Sequence, residues 1–316
     1  MLFGGIETKM DKKLKSGIVA IVGRPNVGKS TLLNAILGEK ISIVSDVPQT
    51  TRRQIRGIHT DERGQIVFID TPGVHAGKDK LDKYMNRASL GSIDSVDAVI
   101  HMVDASETTG QEERHVISRL NKCGKPIIVG LNKIDITKGK FVPEYIKLWE
   151  EMRGVPMTEM KDLILFPISA LKGTNVKKLV DLLFEQMPQG PLLYPEDTIT
   201  DLPRRMAMAD LIREKLFLLM REEIPHSIAV IIEGVQPQRG KILHIRAAIL
   251  VERESQKEIV IGKAGAILKQ VGTEARKDLE ELVDSKVFLE LFVKARSNWR
   301  EDYSTLEDMG YVFSDL

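Results

Sequence analysis

Near the start of the chain, GRPNVGKS at 23–30 has the spacing that lets a backbone grip a polyphosphate. Gly23 and Gly28 allow the chain to curl through Arg24, Pro25, Asn26 and Val27, turning N–H groups toward phosphate oxygens. An apolar run, GIVAIVG, precedes the loop, and a helix from Lys29 through Ser30 and Thr31 follows it. The N-terminus of that helix carries partial positive charge where the phosphates would lie. Lys29 is placed to reach the β- and γ-phosphates, and the Ser30 hydroxyl to ligate Mg2+.

The base is read further along. NKID at 132–135 follows the strand-like PIIVGL, at the carboxyl end where such sheets bind ligands. The Asp135 carboxylate can accept from the adjacent N1 and N2 donors of guanine, which adenine lacks. Asn132 supports the other edge and Lys133 lies along the ring. The Ala170 N–H, in SAL at Ser169–Leu171, backs the base. The cofactors expected are therefore GTP/GDP with Mg2+, not ATP.

DTPG at 70–73 supplies Asp70 for Mg2+, through water, and the Gly73 N–H for a γ-phosphate. In SDVPQTTRRQIRG, Thr51 is the expected second Mg2+ hydroxyl, with Thr50 as the alternative. Such a polar segment can be ordered by triphosphate and released after hydrolysis. Ser30, Thr51 and Asp70 form the expected metal set, and Lys29, Thr51 and Gly73 the catalytic one. Arg52, Arg53 and Arg56 read as solvated residues at a strand edge rather than as an arginine finger. Val74 stands after DTPG and cannot orient water, so unassisted hydrolysis should be slow, about 10⁻⁴–10⁻³ s⁻¹.

A second glycine-lysine loop, GKAG at 262–265, lacks both the spacer and the Ser/Thr of the first. Gly262, Lys263, Ala264 and Gly265 instead make a tight turn suited to close approach by a sugar-phosphate chain, the device of KH domains. Lys269, Arg276 and Lys294 are expected on the same face as Lys263. Arg239, Lys241 and Arg253 are further phosphate contacts or plain surface charges. The run EIVI before the loop reads as β-rich. Ile259, Ile261, Ile267 and Leu268 read as core, and Trp299 as an anchor for the C-terminal segment.

These sites need two frameworks. From 16 to 187 strands alternate with helices, which predicts an α/β domain with a mostly parallel sheet covered on both faces. A proline-rich stretch, MPQGPLLYPEDTITDLP, breaks that rhythm. Beyond it the order helix–strand–strand–helix–strand predicts an α+β domain. The expected divisions are a disordered extension at 1–15, a P-loop GTPase domain at 16–188, a linker at 189–203 and a KH RNA-binding domain at 204–316.

Bulk composition narrows the classes. At 316 residues, 42% hydrophobic and 29% charged, the chain is long enough for two cores. A net charge of +1 does not announce a nucleic-acid binder, so that reading rests on the local loop. One cysteine, Cys123, excludes an internal disulfide and fits the cytoplasm. No window approaches the roughly 20 apolar residues of a membrane span.

The strings VAIVGRPNVGKSTLLN, PQTTRRQIRGI, VFIDTPG, NKID, ISAL, IGKAGAILKQVG and VFLELFVKARSNWR together resemble the Era-like family of bacterial GTPases. The likeness runs over essentially the whole chain and implies a P-loop GTPase domain followed by a type II KH domain. It further implies binding to the 3′ end of 16S rRNA, help in assembling the small (30S) ribosomal subunit, a monomer, and peripheral contact with the inner membrane. The alternative is a GTPase whose KH-like domain docks protein or membrane and couples growth to the cell cycle.

Overall fold

A computed structural model describes residues 14–73, 79–220, 224–238 and 242–311. The expected N-terminal extension lies outside this set up to residue 13, as do Val74, Arg239 and Lys241. Residue 15, assigned to that extension, instead opens the first strand: the Lys15 N–H donates to Arg63 O at 2.9 Å.

The first sheet comprises β1 (Lys15–Val22), β2 (Ile55–Asp61), β3 (Gly64–Asp70), β4 (Ala98–Asp104), β5 (Ile127–Asn132) and β6 (Leu163–Pro167). Its spatial order is β2-β3-β1-β4-β5-β6, parallel except for β2, which pairs antiparallel with β3. Alternation along β1 shows why both faces are covered. Val19 and Ile21 join the core built with helices Lys29–Leu37 and Val176–Gln186. Ala20 and Val22 join the core built with helices Gln111–Leu120 and Val142–Arg153. A strand apolar at every position, as GIVAIVG is, can only be buried on both sides.

The second sheet has β7 (Ala229–Gln238), β8 (Ile242–Val251) and β9 (Lys286–Ala295), with β7–β8 antiparallel and β8–β9 parallel. Helices Arg204–Leu219 and Ala266–Val283 cover one face. A parallel neighbour requires a long crossover, and the chain from Val251 to Lys286 supplies it, with GKAG at its middle. The EIVI run is not β structure, contrary to the sequence-based reading: Glu254–Ile261 is a helix. Gln256 Oε1 accepts from the N–H groups of Glu252 and Arg253 at 2.9 and 3.0 Å, closing the start of that helix. That cap overrides the weak local preference of β-branched residues.

The proline-rich connector is ordered against the first sheet. Gln65 Oε1 accepts from Leu193 N and Tyr194 N, both at 2.8 Å. The Ile58 N–H on β2 donates to Ile199 O at 2.8 Å, and Gly57 forms a bridge with Thr200.

A further apolar cluster spans the two frameworks. Leu81 and Met85 of the helix Lys80–Gly91 pack with Ala248 and Leu250 of β8 and with Trp299 and Tyr311. Trp299 is fully buried, its indole donating to Ser227 O at 3.0 Å, as an anchor should.

Two of the three arginines read as solvated are not. Arg52 is 1% exposed and Arg53 7%; only Arg56 stays at the strand edge, paired with Asp201 at 2.9 Å. Arg52 donates to Ile228 O at 2.7 Å, Pro225 O at 3.1 Å and His226 O at 3.3 Å, flanked by the Phe217 and Trp299 rings. Burial pushes its guanidinium down to about 9, opposed by nearby Tyr311 and Asp210. Truncation would take the side-chain donor from the Ile228 carbonyl, at roughly 1–3 kcal/mol, and empty a space between two rings, while His226 O keeps Arg300 at 2.6 Å and Pro225 O keeps the Ile228 N–H at 3.5 Å. Arg52→Ala is therefore expected to lower the thermal unfolding midpoint by several degrees, with Arg56→Ala within about one degree of the parent.

Candidate functional site

The P-loop runs from the end of β1 into the helix at Lys29, and its curl needs glycine. Gly28 has φ +96°, and a Cβ there would lie 2.4 Å from Asn132 Nδ2. A Cβ on Gly23 would lie 2.3 Å from Met102 O. Gly28→Ala should therefore displace Asn132 and weaken nucleotide binding about a hundredfold, read by calorimetric titration, while leaving the fold intact.

Arg24 turns away from the phosphate side, pairing with buried Glu113 and donating to Tyr145 OH at 3.2 Å. Pro25 packs under Gly73, where a Cβ would come within 2.7 Å of the Pro25 nitrogen. Asn26 Nδ2 donates to Asp46 O at 2.7 Å, tying the loop to the polar segment. Val27 is buried.

Lys29 is 6% exposed, and its ammonium donates to Gly23 O at 3.1 Å and Arg24 O at 2.6 Å. Burial pushes its pKa down to about 8, with Asp70 acting in the other direction. A polyphosphate, bringing negative charge, favours the ammonium further.

Three oxygen-bearing side chains converge at the helix start. Ser30 Oγ donates to Asp70 Oδ2 at 2.6 Å and stands 2.8 Å from Thr51 Oγ1. Thr50 does not join them: its hydroxyl donates to Val47 O at 2.6 Å and meets Ser45 Oγ at 2.6 Å. Asp70 is fully buried, and burial raises its pKa while Ser30, Lys29 and Ser42 oppose the shift. Asp70 Oδ1 is buried with no hydrogen-bond partner, on a carboxylate whose other oxygen already meets the Ser30 hydroxyl beside Thr51. That chemistry fits Mg2+. Sequence reasoning missed Ser42, whose hydroxyl donates to Asp70 Oδ2 at 2.8 Å. Asn34 fixes it, Oδ1 accepting from Ser42 N at 3.0 Å and Nδ2 donating to Ser42 O at 2.7 Å. No motif spacing marks that serine; only the returning chain brings it to Asp70.

The base end is tied to the phosphate end by one side chain. Asn132 Nδ2 donates to Val27 O at 2.7 Å, and its Oδ1 accepts from Ala170 N at 2.9 Å. Ser169 and Ala170 are buried, Leu171 is 77% exposed, and Asp135 is exposed in the first turn of a short helix. Lys133, at φ +61°, pairs with Asp104 at 2.5 Å. A single cavity of about 310 Å3 is lined by Gly28, Lys29, Thr31, Gly73, Asp135 and Leu171, among others. It joins the phosphate loop to the base loop, and its size is that of a small-molecule site.

At the second loop, Gly262 (φ 74°, ψ 169°), Ala264 (φ 52°) and Gly265 (φ 74°) all have positive φ. Lys263, Ala264 and Lys269 are exposed, as is Arg276. Lys294 does not share their face. Val287, Leu289, Leu291 and Val293 pack toward the helices, so the alternation of β9 sends Lys294 to the opposite side, where it pairs with Glu233. Ile259, read as core, is 49% exposed; its neighbour Val260 is the buried residue. Ile267 and Leu268 pack against the core.

A family model described as "50S ribosome-binding GTPase" matches residues 18–133, and one described as "KH domain" matches residues 223–300. GTPase Era of Geobacter metallireducens is 46% identical over 303 residues, 96% of this chain and 99% of that protein. GTPase Era of Geotalea uraniireducens is 46% identical over 95% of this chain and 99% of its own. Among solved structures, a point variant of Aquifex aeolicus Era bound to GDP and AlF4− superposes with TM-score 0.88 at 39% identity, covering 95% of this chain and 100% of that one. Era in complex with MgGDPNP and nucleotides 1506–1542 of 16S ribosomal RNA superposes with TM-score 0.87 at 40% identity, with coverage of 95% and 100%.

Proposed function

The chain belongs to the GTPase Era family, and from that premise we propose a slow GTP-hydrolysing switch that binds the 3′ end of 16S rRNA and assists small-subunit assembly. The observation that carries the nucleotide half is the single cavity running from Lys29 to Asp135, braced in its middle by Asn132. Backbone amides of 23–30 and the Lys29 ammonium bind and orient the β- and γ-phosphates, and the Gly73 N–H faces the γ-phosphate. Asp135 and Ala170 select guanine. Ser30, Thr51 and Asp70 would hold Mg2+, which when bound neutralises charge developing on the transferred phosphate.

The RNA half rests on the exposed GKAG turn and Lys269, aided by the nucleotides seen with the related Era structure. GTP is proposed to order 45–57 and 70–80, of which 74–78 lie outside the described residues, and so to reset the surface that faces the second domain. For domains, we propose GTPase residues up to 188, a connector at 189–203 and a KH domain from 204. The protein acts as a cytoplasmic monomer with peripheral contact at the inner membrane. No helix among the described residues is long and apolar enough to cross a membrane.

The test is equilibrium binding to a labelled single strand copying the 16S 3′ end, with a non-hydrolysable GTP analogue, with GDP and without nucleotide. Tighter binding with the analogue is expected. Absence of binding in all three states would remove the RNA half and bring forward a protein- or membrane-docking role.

A further inference from the structure

The polar segment that lines the nucleotide cavity has a second side. Ser45, Asp46, Gln49, Thr50 and Thr51 face the cavity, yet the segment is held from behind by the second domain. Val44 N donates to Glu214 Oε1 at 3.1 Å, and Arg213 Nη2 donates to Thr50 O at 3.1 Å. Asp210 pairs with Arg213 at 2.8 Å and with Arg53 at 3.5 Å. Arg213 and Glu214 are 4% and 3% exposed, so these contacts are made away from water, where a charge-assisted bond holds geometry well. All three acceptor or donor side chains sit on the helix Arg204–Leu219, and no residue of that helix lines the cavity.

We infer that Arg213 is a positioning residue for the GTP site. By holding the Thr50 carbonyl it fixes the peptide that presents the Thr51 hydroxyl to Ser30, although it belongs to the other domain. The same helix packs along Ala266–Val283, which begins immediately after GKAG. Asp278 on that second helix pairs with Lys215 at 2.6 Å and with Lys40 at 3.0 Å. The GKAG loop, two packed helices and the segment 40–53 thus form one connected stack. This second half rests on the RNA-clamp reading; the role of Arg213 at Thr51 does not.

Arg213→Met keeps an unbranched apolar side chain of similar reach and removes the donors along with the guanidinium over the Phe217 ring. Nucleotide affinity is measured in Mg2+ with a fluorescent GTP analogue and with fluorescent GDP, alongside thermal unfolding. The GTP analogue is expected to weaken about tenfold and GDP by less than about twofold, because only a γ-phosphate draws on Thr51. Arg213→Lys should recover part of the loss. An equal loss for both nucleotides, or none for either, would overturn the assignment. The 16S oligonucleotide should also tighten GTP-analogue binding in the parent more than in Arg213→Met; an equal response in both would overturn the connection to GKAG. A parent that binds the GTP analogue but no RNA removes the RNA reading and that connection together, while the split between GTP and GDP still decides Arg213.

Discussion

Asp135→Asn should weaken GTP binding by about a thousandfold or more and leave phosphate-directed contacts in place. The carboxylate offers two acceptors to two donors on guanine; an amide turns one acceptor into a donor that faces the N2 amino group. Two opposed N–H groups in a confined site cost more than the loss of one bond. Xanthine carries a carbonyl at that position, so xanthosine triphosphate should bind the variant and be refused by the parent. Competition titration of the four nucleotide–protein pairs measures this directly. Asp135 is exposed in a short helix, so its replacement should leave thermal unfolding close to that of the parent. Equal weakening of both nucleotides would show that Asp135 does not read the base.

Gly262→Asp should abolish RNA binding, with a loss of about a hundredfold or more, and spare nucleotide affinity. Its φ of 74° with ψ of 169° is a conformation open essentially to glycine alone, and a Cβ would lie 2.6 Å from Ile267 Cγ1. The added carboxylate would also face the sugar-phosphate chain. Because strain and charge act together here, Lys263→Ala separates them: it should weaken RNA binding evenly across sequences and lower the salt slope by about one. An unchanged salt slope in Lys263→Ala would place the RNA elsewhere.

The site was legible in the sequence where chemistry fixes spacing over a few residues. The loop 23–30, DTPG, NKID and GKAG each meet a local geometric demand, and the structure places the first three around one cavity. What the residues could not reveal was set by distant parts of the chain. Arg52 and Arg53 look like surface cations until Phe217, Trp299 and the carbonyls of 225–228 surround the first, and Asp210 and the Tyr311 ring meet the second. Ser42 carries no motif, and its role at Asp70 exists only because Asn34 turns the returning chain. EIVI misled because three of its four residues are β-branched, while the decisive contact is a cap from Gln256. The helix Lys80–Gly91 went unread for a related reason: its apolar residues Leu81 and Met85 are buried against the second domain.

The connector also has a consequence for solubility. β2 is the outermost strand of its sheet, and the backbone of Ile199 and Thr200 occupies part of its open edge. An uncovered edge is a template for another chain. A GTPase domain cut after Met187 should therefore self-associate through β2, whereas one cut after Leu202 should stay dispersed at the same concentration. Sedimentation of the two truncations would separate them. The segment that joins the domains is also the guard that keeps one sheet from pairing with its neighbours in solution.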